Sequence, residues 1–368
     1  MRGLNTDATG RDSADRDGEA GRIRAPGQGI AKAAVSLLLL TGLATWGGDA
    51  MAVAKFSRAS AGWSTASTWS TSGCGGAANT TVPTAADDVT ICTGHAITTS
   101  ANSSALSLNI QAGGALTQAT NRSLTIGAGG LNVAGTFTSR NTISVAGTTS
   151  VSGTLAITST AGTKTFTGTV TVNPGGTWTN TTEAVTFRGG ITNNGTFTAG
   201  TGTQTFNLTQ AIGGTSLINF GGIVAVVGAI TVTNNNTSIV TITGNLTGSV
   251  AGSTWVNAAN STLNYGGALA PMGTRVFIAS AFPNTVNYNR AGAQTAKVTT
   301  YSNLTLSGSG IKTFATTPTV NGILSMEGTA TVVVTGAGVM TYGAAATLKY
   351  NTATARTVTA EEWVTPFA

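Results

Sequence analysis

The amino-acid sequence predicts an all-β protein, a parallel β-solenoid (β-helix) with irregular rungs, and three observations carry that prediction. The chain repeats itself: Gly162-Thr163-Lys164-Thr165-Phe166, Gly202-Thr203-Gln204-Thr205-Phe206 and Gly310-Ile311-Lys312-Thr313-Phe314 are near copies, and a longer echo joins Tyr288-Asn289 to Tyr350-Asn351, 350 − 288 = 62 residues on. Self-similarity of this kind marks stacked repeats, in which each unit buries its apolar face only against its neighbours. Composition points the same way. Of 368 residues 50 are Gly, while charged residues make up only 8%, against a usual charged share of about 25%. An interior Gly costs a helix about 1 kcal/mol, so long helices are excluded, and the Thr and β-branched residues between the glycines suit a pleated surface.

The third observation is a period of two in short apolar stretches: Leu124 and Ile126, Leu131 and Val133, Ile143 and Val145, Leu155 and Ile157, Val170 and Val172, Val185 and Phe187. Alternate residues of each strand then face one core. Strands this short, parted by Gly and Asn without a crossover helix, suit rungs that pair with the rung above and below. Gly-Thr pairs recur at Gly135, Gly153, Gly168, Gly176 and Gly195. Gly and Asn at such corners are expected to supply left-handed backbone. Antiparallel β-sandwiches are the alternative, because Asn194-Gly195 and Asn321-Gly322 are the dipeptides of tight hairpins. A hydrophobic share of 40% is ordinary for a folded chain and argues against disorder.

In chain order, residues 1–54 read as a leader. Arg22, Arg24 and Lys32 precede an apolar run from Ala33 to Leu43, followed by the small-x-small sites Ala50-Met51-Ala52 and Ala52-Val53-Ala54, which is the grammar of a signal peptide. The run is too short to span a bilayer, and no later segment is long and apolar enough to do so as a helix. Residues 55–115 form a head or cap. It holds both cysteines, Cys74 and Cys92; an even count in an exported chain suggests one disulfide. Cys74, Cys92 and the lone His95 also suggest a metal site, but they fall one ligand short of a closed zinc site, so no metal or other cofactor is expected. Residues 116–250 are the short-rung solenoid. Residues 251–368 read as a longer-unit β-repeat region, since Thr262-Leu263-Asn264-Tyr265 returns as Thr347-Leu348-Lys349-Tyr350. That last echo stops before its following strand, which suggests a truncated solenoid whose open end invites self-association.

A resemblance emerges in the head: Gly62-Trp63-Ser64, Thr68-Trp69-Ser70, Val82-Pro83, Asp87-Asp88-Val89-Thr90-Ile91-Cys92, Gly94-His95 and Leu108-Asn109-Ile110 with Gly113-Gly114-Ala115-Leu116. This stretch resembles the glycine-rich β-helical head domain of secreted and surface proteins. Tyr301-Ser302-Asn303-Leu304-Thr305-Leu306-Ser307-Gly308 and Val320-Asn321-Gly322-Ile323-Leu324 resemble the strand repeats of bacterial adhesin-like surface proteins. The Cys-bearing head is more weakly similar to proteins associated with mannose-sensitive haemagglutinin pili. The resemblance implies a β-helical fold and an adhesive or structural role outside the cell.

Charge excludes one class of partner. The formal net charge is +6, yet residues 1–58 hold eight of the basic and six of the acidic residues, and the remaining basic residues are scattered singly from Arg122 to Arg356. Nucleic-acid binding needs a clustered basic face, so none is expected. Catalysis is equally poorly served. Beyond the leader the carboxylates are Asp87, Asp88, Glu183, Glu327, Glu361 and Glu362, and adjacent Asp87 and Asp88 project to opposite faces of a strand, so they do not form the pair a glycosidase needs. No Gly-x-Ser-x-Gly elbow accompanies His95.

Binding is the better expectation. Trp63 and Trp69 are candidates for stacking on a ligand if exposed, their ordinary alternative being core. Thr136-Phe137-Thr138 and Thr196-Phe197-Thr198 suggest hydroxyl ladders facing outward, even toward ice, but the uneven rung lengths count against any lattice match. The sequence thus predicts a non-enzymatic secreted or cell-surface protein whose partners are host or cell-surface glycans or envelope and matrix components. A carbohydrate-binding or polysaccharide-cleaving β-helix is the alternative.

Overall fold

In the computed structural model, which describes residues 52–364, every element but one three-residue 3-10 turn at Ala66–Thr68 is a β-strand. The expected leader therefore lies outside the described residues, except for Ala52, Val53 and Ala54. The chain winds as a three-walled coil. One rung runs through Lys164–Phe166 on wall 1, Val170–Val172 on wall 2 and Thr177–Asn180 on wall 3. The next repeats the pattern with Val185–Phe187, Ile191–Asn193 and Thr196–Ala199.

Wall 3 is a sheet of 14 strands stacked in strict chain order, from Ala61–Gly62 to Thr347–Asn351. Walls 1 and 2 share an 18-stranded sheet because Ser103–Ile110 and Leu124–Val133 run through both. They part into two three-stranded sheets in the last rungs. Among the described pairings only Ala54–Ser57 with Trp69–Ser70 is antiparallel. The sandwich alternative thereby falls, and Asn194-Gly195 and Asn321-Gly322 turn corners between parallel walls, not hairpins. The pattern decides this physically: three-residue strands with two inward residues bury apolar surface by stacking rungs, whereas a hairpin sandwich needs longer strands to build two facing sheets.

The head rung spans 36 residues, Ala61 to Ile97, and from there rung length varies from 18, Phe137 to Leu155, to 24, Leu324 to Leu348, yet the strands of wall 3 stay in register because the corners absorb the difference. The longer unit read from residue 251 onward has the same origin. Thr262 and Thr347 lie four rungs apart and Tyr288 and Tyr350 three, so the echoes skip rungs and the rungs themselves do not lengthen there.

The core is one narrow column of inward residues. On wall 3 it reads Ile97, Leu116, Phe137, Leu155, Trp178, Phe197, Ile218, Val240, Leu263, Val286, Leu304 and Leu324, all buried. Trp178 stacks on Phe197 with ring centroids 5.6 Å apart and planes 14° from parallel, and Phe187 lies stacked on Phe206 at 5.6 Å. Burying each such side chain contributes about 1.5–3 kcal/mol.

Corners explain the glycines in two ways: Gly113, Gly130, Gly162, Gly175, Gly190 and Gly214, with Asn121 and Asn260, take the expected left-handed backbone, whereas Gly135, Gly153, Gly168, Gly176 and Gly195 do not. Gly135, Gly153, Gly176 and Gly195 occupy one corner and keep ordinary negative φ. A Cβ at Gly153 would overlap the Gly135 carbonyl oxygen, and one at Gly135 that of Gly114. Close approach of successive rungs, not left-handed backbone, is what demands Gly there. Farther up, asparagines fill a comparable corner: Asn234 Nδ2 donates to Asn257 Oδ1 at 2.8 Å, Asn257 Nδ2 to the Thr285 carbonyl at 3.2 Å, and Asn284 Nδ2 to the Asn257 carbonyl at 2.7 Å.

The repeated Lys or Gln of the Gly-Thr-Lys-Thr-Phe motif also has a corner task. Its side chain points inward on wall 1 and donates to carbonyls of the adjoining turns. Lys164 Nζ reaches Ala161 O at 2.6 Å and Gly162 O at 3.0 Å; Gln204 Nε2 reaches Glu183 O at 3.2 Å and Gly202 O at 3.0 Å. Lys312 Nζ reaches Arg290 O at 2.6 Å, Ser309 O at 3.1 Å and Gly292 O at 3.3 Å. A buried carbonyl without a partner would cost about 1–3 kcal/mol, so the motif persists for polar satisfaction.

At the far end, residues 352–364 turn back over the last rung. Met340 N donates to Glu361 O at 2.9 Å, Tyr342 Oη to Glu362 O at 2.7 Å, and Arg356 pairs with the buried Glu362 carboxylate at 3.2 Å. The strand Thr347–Asn351 of wall 3 pairs on one side with Ile323–Glu327 and, among the described residues, with no strand on the other.

Candidate functional site

The head brings the sequence-selected residues together as structure. Cys74 and Cys92 form a disulfide with Cα atoms 6.0 Å apart, tying the loop after Trp69–Ser70 to the strand Asp88–Ile91. Trp63 and Trp69 are 2% and 0% exposed. Their rings meet edge to face at 5.1 Å, and Trp69 Nε1 donates to Trp63 O at 2.8 Å. Stacking on a ligand needs an open ring face and neither has one, so the candidate pair is corrected to a plug closing the first rungs.

Most of the carboxylates outside the leader, and the histidine, make structural hydrogen bonds. Asp87 Oδ2 accepts from Thr84 N at 2.7 Å and Thr84 Oγ1 at 2.8 Å, and Asp88 accepts from Ser107 Oγ. Glu183, 2% exposed, accepts from Thr181 N at 2.6 Å and Thr182 N at 2.9 Å. Glu327 Oε1 accepts from Ser325 Oγ at 2.9 Å. His95 Nδ1 lies 2.8 Å from Ser57 Oγ, which accepts from Cys92 N at 2.8 Å. The pair thus lies against Cys92, at the end of the strand Asp88–Ile91 that carries the disulfide.

Burial sets the protonation of the inward bases and phenols. Desolvation lowers Lys164 against the pull of Glu183, and lowers Lys312 to about 8 with help from Arg290. Desolvation raises Tyr265 to about 12 and pushes Tyr288 and Tyr301 well above the usual phenol range. The last two form a closed polar link: Lys297 N donates to Tyr288 Oη at 3.0 Å, the two hydroxyls are 2.7 Å apart, and Tyr301 Oη donates to Lys297 O at 2.5 Å. None of these groups opens onto a deep cleft. The concavity lined by Asn245, Leu246, Met272 and Arg275 holds about 230 Å³ and is a notch beside a corner insertion.

What the coil offers instead is wall 3. Its outward residues form two columns. One reads Thr98, Thr117, Thr138, Ala156, Thr179, Thr198, Asn219, Thr241, Asn264, Asn287, Thr305 and Ser325. The other holds Thr136, Thr154, Thr177 and Thr196, then the exposed Leu217 and Ile239, then Thr262, Thr285 and Asn303. From Ala96 to Ser325 no outward residue of wall 3 carries a charge or an aromatic ring. The sequence displays the Thr-x-Thr strands, but the columns become visible only when rung register is known. No protein-family model matches the chain, and no curated protein or solved structure matches it significantly.

Proposed function

We propose that the protein is a non-catalytic structural or adhesion protein, secreted or displayed at the cell surface, that works through the long side of its coil. The observation that carries the reading is wall 3: a neutral face many rungs long, threonine-rich from Thr136 to Thr198, on a scaffold most of whose carboxylates make structural hydrogen bonds. Such a face gathers affinity from many weak contacts in register. Its partners are solid or repetitive surfaces, namely host or cell-surface glycans or envelope and matrix material. The unpaired edge of Thr347–Asn351 adds a place for another strand to pair, which makes end-to-end association between copies part of the same reading. Incubation with a panel of cells and polysaccharides tests it. Retention without turnover is the expected result; released oligosaccharide fragments would instead assign an enzyme.

A further inference from the structure

Wall 3 differs from its neighbours in dimension. In the rungs from Ile143 to Ala199 the strands of walls 1 and 2 are three residues long with one outward residue each, whereas those of wall 3 are four long with two. With Thr136–Ser139 below them, four successive rungs present eight outward positions. Seven are Thr and the eighth is Ala156. Strands in register lie about 4.8 Å apart and alternate residues of one strand about 6.7 Å apart, so these side chains stand on a near-rectangular grid. The uneven rung lengths do not disturb it, since the register pairs Thr136, Thr154, Thr177 and Thr196 directly, as it does Thr138, Ala156, Thr179 and Thr198.

The grid is chemically uniform. A β-branched side chain has few χ1 choices in a strand, so each Thr holds its methyl and hydroxyl in a set direction. None of the seven hydroxyls has a hydrogen-bond partner among the described residues, so each is completed by water. Water on one hydroxyl is then held at a fixed offset from water on the next, in two directions at once. A lone sugar or peptide chain would lie along a single column, without the aromatic platform or ion pair that commonly anchors such a ligand. A two-dimensional crystal face exploits both columns.

We propose that the Thr136–Thr198 block of wall 3 binds ice, its ordered water layer merging with the crystal face. The proposal rests on the reading that this protein works through its wall and names what the wall holds. The full chain is tested by slow growth of ice from a dilute solution, measuring the protein taken into the solid. The unaltered protein is expected to be enriched in the ice over a non-binding carrier. The double variant Thr179→Lys/Thr198→Lys is expected to fall to the carrier's level with its unfolding temperature unchanged, because two charges on the grid keep their own hydration. Thr165→Lys/Thr186→Lys, on the single outward column of wall 1, is expected to retain uptake. Exclusion of the unaltered protein from ice, or undiminished uptake by the wall 3 variant, overturns the proposal. Retention on crystalline chitin or cellulose that only the wall 3 variant loses, without ice uptake, reassigns the face to a solid glycan. Attachment to cells without ice uptake overturns the ice assignment while leaving the surface-display reading standing.

Discussion

The Lys312 ammonium donates to the Arg290 carbonyl, 2.6 Å away and 22 residues earlier in the chain, and so ties one rung to the one beneath it. It is buried, 0% exposed, and spends its remaining donors on two further carbonyls. Lys312→Ala removes all three bonds and leaves the Gly292 carbonyl without its donor, for an expected loss of about 1–3 kcal/mol in chemical unfolding. Lys312→Gln is expected to lose less, because Gln204 and Gln294 do the same work at equivalent corners.

Alkaline titration is expected to show a maximum of stability. Lys312 falls from 10.5 to about 8 in the folded chain, so between those values the unfolded chain holds a proton that the folded one has released, and stability rises with pH. Tyr265 rises from 10.0 to about 12, and Tyr288 and Tyr301 also rise. Above pH 10 the unfolded chain loses phenolic protons that the folded one keeps, and stability falls. Urea midpoints at pH 7, 9.5 and 11.5 check both slopes, and Lys312→Gln should flatten the first while leaving the second.

Gly153→Ala is expected to destabilise by about 2 kcal/mol or more, although Ala is ordinarily the better residue on entropy grounds. Its Cβ has nowhere to go but into the Gly135 carbonyl. The same substitution at Gly213, where a Cβ meets nothing within 4 Å, should be nearly neutral. Thermal melts of the two variants make the comparison.

These corners mark where sequence reading succeeds and where it stops. The strands Leu124–Ile126 through Val185–Phe187 are legible because period-two apolar spacing survives any loop length, and the near copies are legible because the Lys or Gln of each fills the same inward slot. Which glycines serve left-handed turns and which a close approach between rungs is not, since both demands leave the same letter. Burial of Trp63 and Trp69 is likewise invisible, because a plug and a binding platform use the same side chain. The grid on wall 3 is hidden by the very irregularity of rung length that the corners absorb.

Reduction or a Cys74→Ser/Cys92→Ser pair is expected to loosen the head locally. Closing a loop of this size contributes about 3 kcal/mol, but rungs in a stack feel mainly their neighbours. Hydrogen exchange should accelerate around Asp88–Ile91 and Trp69, and remain slow around Trp178.

Export, if it follows the leader grammar, is expected to leave Val53 as the first residue. Cleavage after Ala52 keeps the strand Ala54–Ser57 and the bond from Asp88 N to Val53 O, 3.1 Å, whereas cleavage after Ala54 removes both the strand's first residue and that acceptor. N-terminal sequencing of secreted protein distinguishes the two.

The most direct test of the stacked coil is a set of spin-label distances along one outward column, with pairs placed at Thr117 and Thr198, Thr117 and Asn264, and Thr117 and Thr305. The register puts these four, seven and nine rungs apart, so separations near 19, 34 and 43 Å are expected from a rise of about 4.8 Å per rung. Distances that fail to grow in proportion to rung number would contradict the account.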